Sequence, residues 1–539
     1  MPQADAGAVF LQIALFFCPV LYYNKLEKFR DCPGCTYYKD GVILLHTVLL
    51  VFDIGTSGLK ASLVDERLNI LRNVTTTYPT HYLPGGGVEQ DAADWWMSAV
   101  RAMLMLRELV PEYLKQVDAI GVSGHMLGLL PMDREGQALR PAMIRRDTRA
   151  KAVTETLLDR FGADYFYRIS GNVLTPNLTL SKAVWLHENE PEVYEKTVRF
   201  LQCKDYLVYR LTGSMDTTDF SDASRAGLMN LQTRDYDYDM LETLSLHAEK
   251  FPTIRPGCAI AGHLTEEAAY HLGLRAGIPV SVGGGNGMCE SVGAGVVSIG
   301  SYYMSLDTAA WIAGQTDTPF FDAQRRLGHI CSLDGRSFSV FGAMRCAGKC
   351  VNWAQKIFDV GSPRAFDAAA SNIPAGADGL VFLPYLEGER SPIYDEQAQG
   401  VFFGMTQEHR REHFLRAVLE GVGCGLSQIL DVLRERDEIS DLRIIGGGAK
   451  SRVWKQIISD LCSVRLHDVT TLSDCAATLG AAAAAGVGIG LFESLAQAVG
   501  GITQASVLSP DPETRCVYEA LRKRYDRLYP ALAPVFHQT

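Results

Sequence analysis

The feature that most constrains this chain is a continuous apolar run, Val48 to Phe52, that ends in Asp53-Ile54-Gly55-Thr56-Ser57-Gly58-Leu59-Lys60. A short β-branched and aliphatic run stopped by glycine and hydroxyl residues reads as a buried strand entering a tight turn. Lys60 to Asp65 resumes the apolar pattern, so the turn joins two buried strands. Glycines let a backbone come close to a phosphate, and successive N–H groups form an anion-binding nest. Thr56 and Ser57 add hydroxyl donors, Lys60 reaches a terminal phosphate, and Asp53 suits the water shell of a Mg²⁺ ion. On spacing alone an ordinary hairpin turn with a surface lysine remains equally open.

The same alternation continues. Asp94 to Val110 has helical periodicity, and Val117 to Val122 is an apolar strand entering Ser123-Gly124-His125-Met126. Leu157 to Tyr209 reads mostly helical, and Pro279 to Gly285 is again strand into glycine turn. In the second half, Tyr302 to Ile312 reads as a hairpin around Asp307-Thr308, followed by a strand from Phe338 to Phe341. Helices are expected from Ala343 to Phe358 and from Arg411 to Arg434. Leu442 to Ile445 then runs into Gly446-Gly447-Gly448-Ala449-Lys450-Ser451 and a further helix. Strands and helices alternating in both halves imply an α/β protein of two related domains, with a boundary near residue 295.

At 539 residues the chain exceeds what one hydrophobic core holds, which also favours two domains. A net charge of −11 argues against nucleic acid as a partner, because phosphate backbones demand basic surfaces. Thirteen scattered cysteines, an odd number, fit a reducing compartment and a cytoplasmic protein better than a secreted disulfide framework. Cys32 and Cys35 have metal-ligand spacing, and Cys346 and Cys350 share a helix face, but ordinary thiols are the better reading of both pairs. Residues 1–48 form an N-terminal extension. Its apolar stretch Ala8 to Tyr23 is short for a bilayer span and lacks the marks of a signal peptide, so membrane contact is not expected beyond residues 8–23.

Three glycines at 446–448, between a strand and a helix, let a flat ring or a diphosphate lie on bare backbone at a helix N-terminus. Close helix–strand packing is the alternative. No Gly-x-x-x-x-Gly-Lys-Ser run is present, so a P-loop is not supported.

These motifs, with Gly87-Val88-Glu89-Gln90-Asp91, Trp95-Trp96, Lys204-Asp205-Tyr206-Leu207, Leu211-Thr212-Gly213 and Glu389-Arg390-Ser391-Pro392, resemble the FGGY carbohydrate kinases. Gly446 to Ser451 with Trp454, Gln456-Ile457 and Asp460 resembles that family's most specific signature, and the likeness runs in order from about residue 49 to about 530. Xylulokinase-like members are the most similar. The resemblance implies two actin-like ATPase (ribonuclease H-like) domains, 49–295 and 296–530, with a nucleotide cleft between them and a tail at 531–539. It implies ATP and Mg²⁺ as cofactors and a sugar or polyol as substrate, and a homodimer is compatible with it. Asp53, Gly55, Thr56, Ser57, Lys60, Asp307 and Thr308 would face the phosphates. Gly446, Gly447, Gly448, Ala449 and Lys450 would face the adenine side. His125, Met126, Leu127 and Asp147 would contact the sugar.

The chain departs from the family pattern where the chemistry is expected. The family's base is the aspartate of a Gly-Gly-Gly-Asp turn; here the turn ends in Asn286, whose amide orients a hydroxyl but accepts no proton as a carboxylate does. The second phosphate hairpin carries Leu306-Asp307-Thr308-Ala309 in place of Leu-Gly-Thr-Ser. Leu127 stands where xylulokinases carry histidine, and Arg145 where the family favours an aromatic residue. Two readings follow: a sugar kinase, slow if nothing replaces the base, or a catalytically inactive homologue that senses nucleotide or sugar. Glu290, one helical turn beyond Asn286, is the nearest spare carboxylate and reads as solvated or helix-stabilising.

Overall fold

The computed structural model describes residues 47–469, 475–502 and 506–538. The apolar stretch at 8–23 and the Cys32/Cys35 pair lie outside them. From Val48 onward the chain forms one unit.

The first apolar run becomes strand β1 (Val48–Ile54), which returns through the glycine turn as β2 (Gly58–Asp65) and then β3 (Ile70–Thr77). Strand β4 (Val117–Gly124) lies parallel to β1 on its other side. With β5 (Ile260–His263) and β6 (Pro279–Ser281) the sheet order is β5-β6-β4-β1-β2-β3, and Gly284–Gly285 adds a short pairing to β4. β1 is almost wholly buried, as a continuous apolar run predicts for a strand covered on both faces.

The second sheet repeats the plan. β7 (Tyr302–Leu306) turns through Asp307–Ala309 into β8 (Ala310–Thr316). β9 (Gly328–Cys331), β10 (Phe338–Met344), β11 (Asp441–Ile445), β12 (Arg465–Asp468) and β13 (Ser506–Leu508) complete the order β9-β10-β8-β7-β11-β12-β13. In both sheets a hairpin has an antiparallel strand beside its second arm and a parallel strand beside its first. The two phosphate-turn candidates therefore occupy the same topological position.

Helices cover the sheets. α1 (Ala92–Leu109) is capped by Asp91, whose side chain accepts from the Ala93 amide, and it buries Trp95, Ala99, Ala102, Met103 and Leu106 at helical spacing. α2 (Phe220–Arg225) and α3 (Asn286–Gly293) follow, then α4 (Arg411–Arg434), α5 (Arg452–Cys462) and α6 (Ala476–Gly488). α6, drawn from the second half, packs on the first sheet and on α3. A Cβ on Gly293 would stand 1.8 Å from the Ala476 carbonyl oxygen, one on Gly480 1.9 Å from that of Cys289, and one on Gly121 2.6 Å from that of Ala481. Such backbone-to-backbone approach admits only glycine. Leu479, Ala481–Ala485, Ala498 and Val499 accordingly share a core with Leu49, Val51 and Met288.

Two expectations change. The helix expected from Ala343 begins at Gly348, because Ala343 and Met344 pair with Trp311 and Ala310 in the β10–β8 ladder. The segment 157–209 is interrupted by a short strand at Arg199–Leu201. Cys346 and Cys350 are buried core thiols, with Cys350 donating to the Cys346 and Pro384 carbonyls.

Candidate active site

The first turn is held from beneath. The Gly55 amide donates to the Gly58 carbonyl at 2.8 Å, closing a two-residue loop at Thr56-Ser57. The Tyr78 hydroxyl donates to the Gly55 and Gly58 carbonyls, and Gln90 Nε2 donates to the Thr56 carbonyl at 2.8 Å. Gln90 is itself fixed by Trp95 Nε1 at 3.0 Å. With its carbonyls engaged, the turn leaves the Thr56 and Ser57 amides without a protein acceptor among the described residues. Gly58 is required by packing, since a Cβ there would stand 2.4 Å from the Thr76 carbonyl oxygen. Asp53 pairs with Lys60 across the hairpin and with Ser123 across the parallel strand. Burial raises its carboxyl pKa, while the Lys60 charge and the Ser123 hydroxyl pull it back. Lys60 Nζ lies 3.8 Å from Cys475 Sγ at the start of α6.

The second turn is anchored to the helix Gly348–Ile357: the Gly348 amide donates to the Asp307 carbonyl at 2.8 Å and the Ala347 amide to that of Thr308 at 3.0 Å. Asp307 is exposed, and its carboxylate accepts from the Thr308 amide at 2.8 Å. The three glycines of 446–448 separate by role. Gly446 has φ 95° and lies against the Leu306 carbonyl, and Gly448 is wedged against Leu306 and Trp454. Both are explained by packing. Gly447 alone is open, the nearest atom to its Cβ position being Asp307 Oδ1 at 3.9 Å. Ala449 is fully buried and Lys450 exposed.

Around Asn286 the chain is supported by a buried ionic cluster, of which only Lys204 and Asp205 stand out in the sequence as part of a motif. Lys204 Nζ lies 2.6, 3.3 and 3.6 Å from carboxylate oxygens of Asp205, Asp219 and Asp222. Asp219 accepts from the Ser221 hydroxyl, and Ser221 Oγ accepts the Gly285 amide at 2.9 Å. This chain fixes the turn from which the half-buried Asn286 starts α3. Met126 fills the space above Gly285, where a Cβ would meet its Cε at 2.5 Å. Leu127, at φ 71°, is held by Lys182 Nζ on its carbonyl at 2.6 Å, and the same ammonium reaches the Ile144 carbonyl at 2.8 Å. His125 is 1% exposed, and neither ring nitrogen has a hydrogen-bond partner among the described residues. Burial, then the Arg145 and Lys182 charges, lower its pKa to about 3, so it is neutral.

Asp147 sits elsewhere than expected. It is fully buried, with its oxygens occupied by the Val88 amide at 2.8 Å and by Arg149 at 2.7 Å, which makes it a brace of its own loop. Glu290, read from sequence as solvated, is half-buried and accepts from the Ser305 hydroxyl at 3.1 Å. Burial first, then the Asp307 and Asp53 charges, raise its pKa to about 8. Glu290 thus feels the charges of both turns, Asp53 of the first and Asp307 of the second.

The chain matches the model of the FGGY family of carbohydrate kinases, N-terminal domain, over residues 48–293, and the C-terminal domain over 302–489. The chain belongs to this family. It is 31% identical to the xylulose kinase of Escherichia coli (strain K12) over 484 residues, 90% of this chain and 99% of that protein. It is 26% identical to the gluconokinase of Bacillus subtilis (strain 168) over 431 residues, 77% and 83% of the two. The ligand-bound xylulose kinase structure from Lactobacillus acidophilus superposes with a TM-score of 0.86 at 25% identity, covering 91% of this chain and 99% of that one. The two-domain α/β fold is therefore that of the FGGY kinases. Among the described residues no helix is long and apolar enough to cross a membrane.

Proposed function

We propose that this FGGY chain transfers the γ-phosphoryl group of ATP to a hydroxyl of a sugar or polyol. The observation that carries the reading is the pair of topologically equivalent turns, Gly55–Gly58 and Asp307–Ala309, the first with its Gly55, Thr56 and Gly58 carbonyls tied back and its Thr56 and Ser57 amides unspent among the described residues. Relatives named xylulose kinase and gluconokinase support a sugar acceptor, and nothing in these likenesses favours the inactive homologue. Sugar contacts fall to His125, Met126 and Leu127.

In the reaction the hydroxyl oxygen forms a bond to the γ-phosphorus as the bond from that phosphorus to the ADP oxygen breaks, and the hydroxyl proton leaves to a base. Positioning and charge stabilisation carry most of the rate in such transfers. Asn286, at the head of α3, orients the hydroxyl by hydrogen bonding. Glu290, on the same face one turn later, is the carboxylate that takes the proton in this reading. Lys60 and the Thr56 and Ser57 amides hold the transferred group.

The donor chemistry suits Mg²⁺: Asp53 is a hard oxygen donor whose raised pKa a cation would relieve. Among the described residues no three such side chains converge into a closed metal cage, which fits an ion that keeps waters and nucleotide oxygens as ligands. Bound there, it would neutralise phosphate charge.

The test is ADP release by purified protein over pentuloses, hexuloses, polyols and aldonates, beside an Asp53→Ala control. Turnover no greater than the control with every acceptor, and no thermal shift with nucleotide, would sink the reading.

A further inference from the structure

Three arginines surround the sugar side of the cleft. Arg145 follows Ile144, whose carbonyl shares the Lys182 ammonium with that of Leu127, which places it beside the His125–Leu127 turn. Arg225 ends α2, where its neighbour Ser224 accepts the Cys331 amide at 2.9 Å, and its guanidinium lies 5.4 Å from the centre of the Phe341 ring. Arg390 adjoins Ser391, whose amide donates to the Ala343 carbonyl at 3.0 Å, two residues along β10 from Phe341. Met126 connects these walls: the Cβ position of Gly287 lies 3.6 Å from its sulfur and 3.7 Å from Ile330, the residue before Cys331.

None of the three has an ion-pair partner among the described residues, although all are half-buried. Four other half-buried arginines of this acidic chain are paired, Arg140 with Glu89, Arg149 with Asp147, Arg326 with Asp322 and Arg416 with Glu420, while Arg434 and Arg443 spend their guanidinium groups on backbone carbonyls. Glu389, beside Arg390 in sequence, spends one oxygen on the Arg345 and Arg390 amides, each at 2.7 Å. Among the described residues the Arg225 guanidinium has only a neutral acceptor, Asn172 Oδ1 at 3.1 Å. Partly burying like charges together without a counter-ion costs stability unless an anion completes the site. His125, buried and unpartnered, adds two more unmet polar atoms to the same wall. Burial first, and then the neighbouring guanidinium charges, hold Arg145 and Arg225 down at about 10, Arg145 through Arg390 and Arg225, and Arg225 through Arg390.

We propose that Arg145, Arg225 and Arg390 form a subsite for a terminal oxyanion, so that the acceptor is an anionic polyhydroxy compound, either a sugar acid or a sugar phosphate. This rests on the kinase reading above. Arginine suits the role because its planar fork meets carboxylate and phosphate oxygens in pairs. The nucleotide phosphates are assigned to the glycine turns, which leaves this cluster to the acceptor. Phosphorylation then occurs on a hydroxyl remote from the anchored anion.

The test compares ADP release by the full chain on three kinds of acceptor: neutral D-xylulose and xylitol, the carboxylates D-xylonate and D-gluconate, and the phosphate D-xylulose 5-phosphate. At least one anionic acceptor is expected to exceed the neutral ones about 100-fold in kcat/KM, the carboxylate and phosphate arms identifying the source of the charge. Arg145→Gln, Arg225→Gln and Arg390→Gln are each expected to reduce that value about 10- to 100-fold, mainly through KM. Each should leave the thermal midpoint of the unliganded protein equal or higher, the opposite of what a structural arginine would do. A neutral acceptor that matches or exceeds both anionic sets overturns this inference and leaves the kinase reading intact. If nothing is turned over, calorimetry with D-gluconate and with D-xylulose 5-phosphate decides. Binding that Arg390→Gln abolishes supports the subsite, and no binding of either overturns it. The kinase reading falls separately, on absence of turnover together with absence of a nucleotide shift.

Discussion

The Ser305 hydroxyl donates to Glu290 Oε1 at 3.1 Å, joining a strand of the second sheet to the helix that Asn286 begins. Because Glu290 is raised to about 8, it is largely protonated at neutral pH and ionises on the alkaline side. If the ionised form takes the hydroxyl proton, kcat should rise between pH 6.5 and 9 with a midpoint near 8. Glu290→Gln should lower kcat by about 10²- to 10⁴-fold and flatten that profile, with KM little changed. Adding Asn286→Asp to that variant should recover part of the loss, measured as ADP release.

The same shift bears on stability. A carboxyl whose folded pKa lies above its unfolded value of about 4.5 favours the folded state fully below that value, and the contribution is lost as pH rises through about 8. Urea unfolding at pH 6 and pH 9 should therefore show a smaller loss of stability on the alkaline side for Glu290→Gln than for the parent chain.

Asp307 stands exposed 3.9 Å from the Cβ position of Gly447, where it faces any anion lying on that bare backbone. Like charges at that range repel by roughly 1 to 4 kcal/mol as the effective dielectric falls from 80 to 20. Asp307→Gly should tighten nucleotide binding by about tenfold at low salt, and by less in 0.5 M salt. Calorimetric titration with ADP at the two ionic strengths checks both parts.

Gly58 and Gly447 should behave differently when given a methyl group. At Gly58 the added Cβ meets the Thr76 carbonyl oxygen at 2.4 Å, so Gly58→Ala should destabilise by about 1 to 3 kcal/mol. At Gly447 the space is open, so Gly447→Ala should leave stability within about 0.5 kcal/mol and weaken only nucleotide affinity. Chemical denaturation beside nucleotide titration separates the two.

The turns themselves were legible because the physics is local. A five-residue apolar run ending in Gly-Thr-Ser-Gly has few other conformations, and β1 and β2 form where that pattern places them. The break at 343–348 was not, since Ala343-Met344-Arg345-Cys346-Ala347 contains no local stop and only the ladder to β8 makes its first two residues strand. Glu290 was misread for a similar reason. One-dimensional periodicity gives its helix face but not the strand that covers that face. The anionic subsite is less legible still: Arg145 stood out as a departure, but a loop, a helix end and a second loop bring Arg225 and Arg390 to it only in three dimensions. Asp147 was assigned to substrate by position in a motif, whereas the Val88 amide and Arg149 occupy its oxygens.

The seating of α6 against α3 and the first sheet has a consequence for how the polypeptide is made. Residues 476–499 supply part of the core that begins at Leu49, so the N-terminal half emerges from the ribosome with a gap in its hydrophobic face. Its first strand, at Leu49, waits for more than 400 residues of chain before this last layer arrives. A fragment ending near residue 295 would carry the exposed Gly121 and Gly293 groove as sticky surface. Native folding of the leading half is thereby a late, post-translational event rather than an autonomous first step.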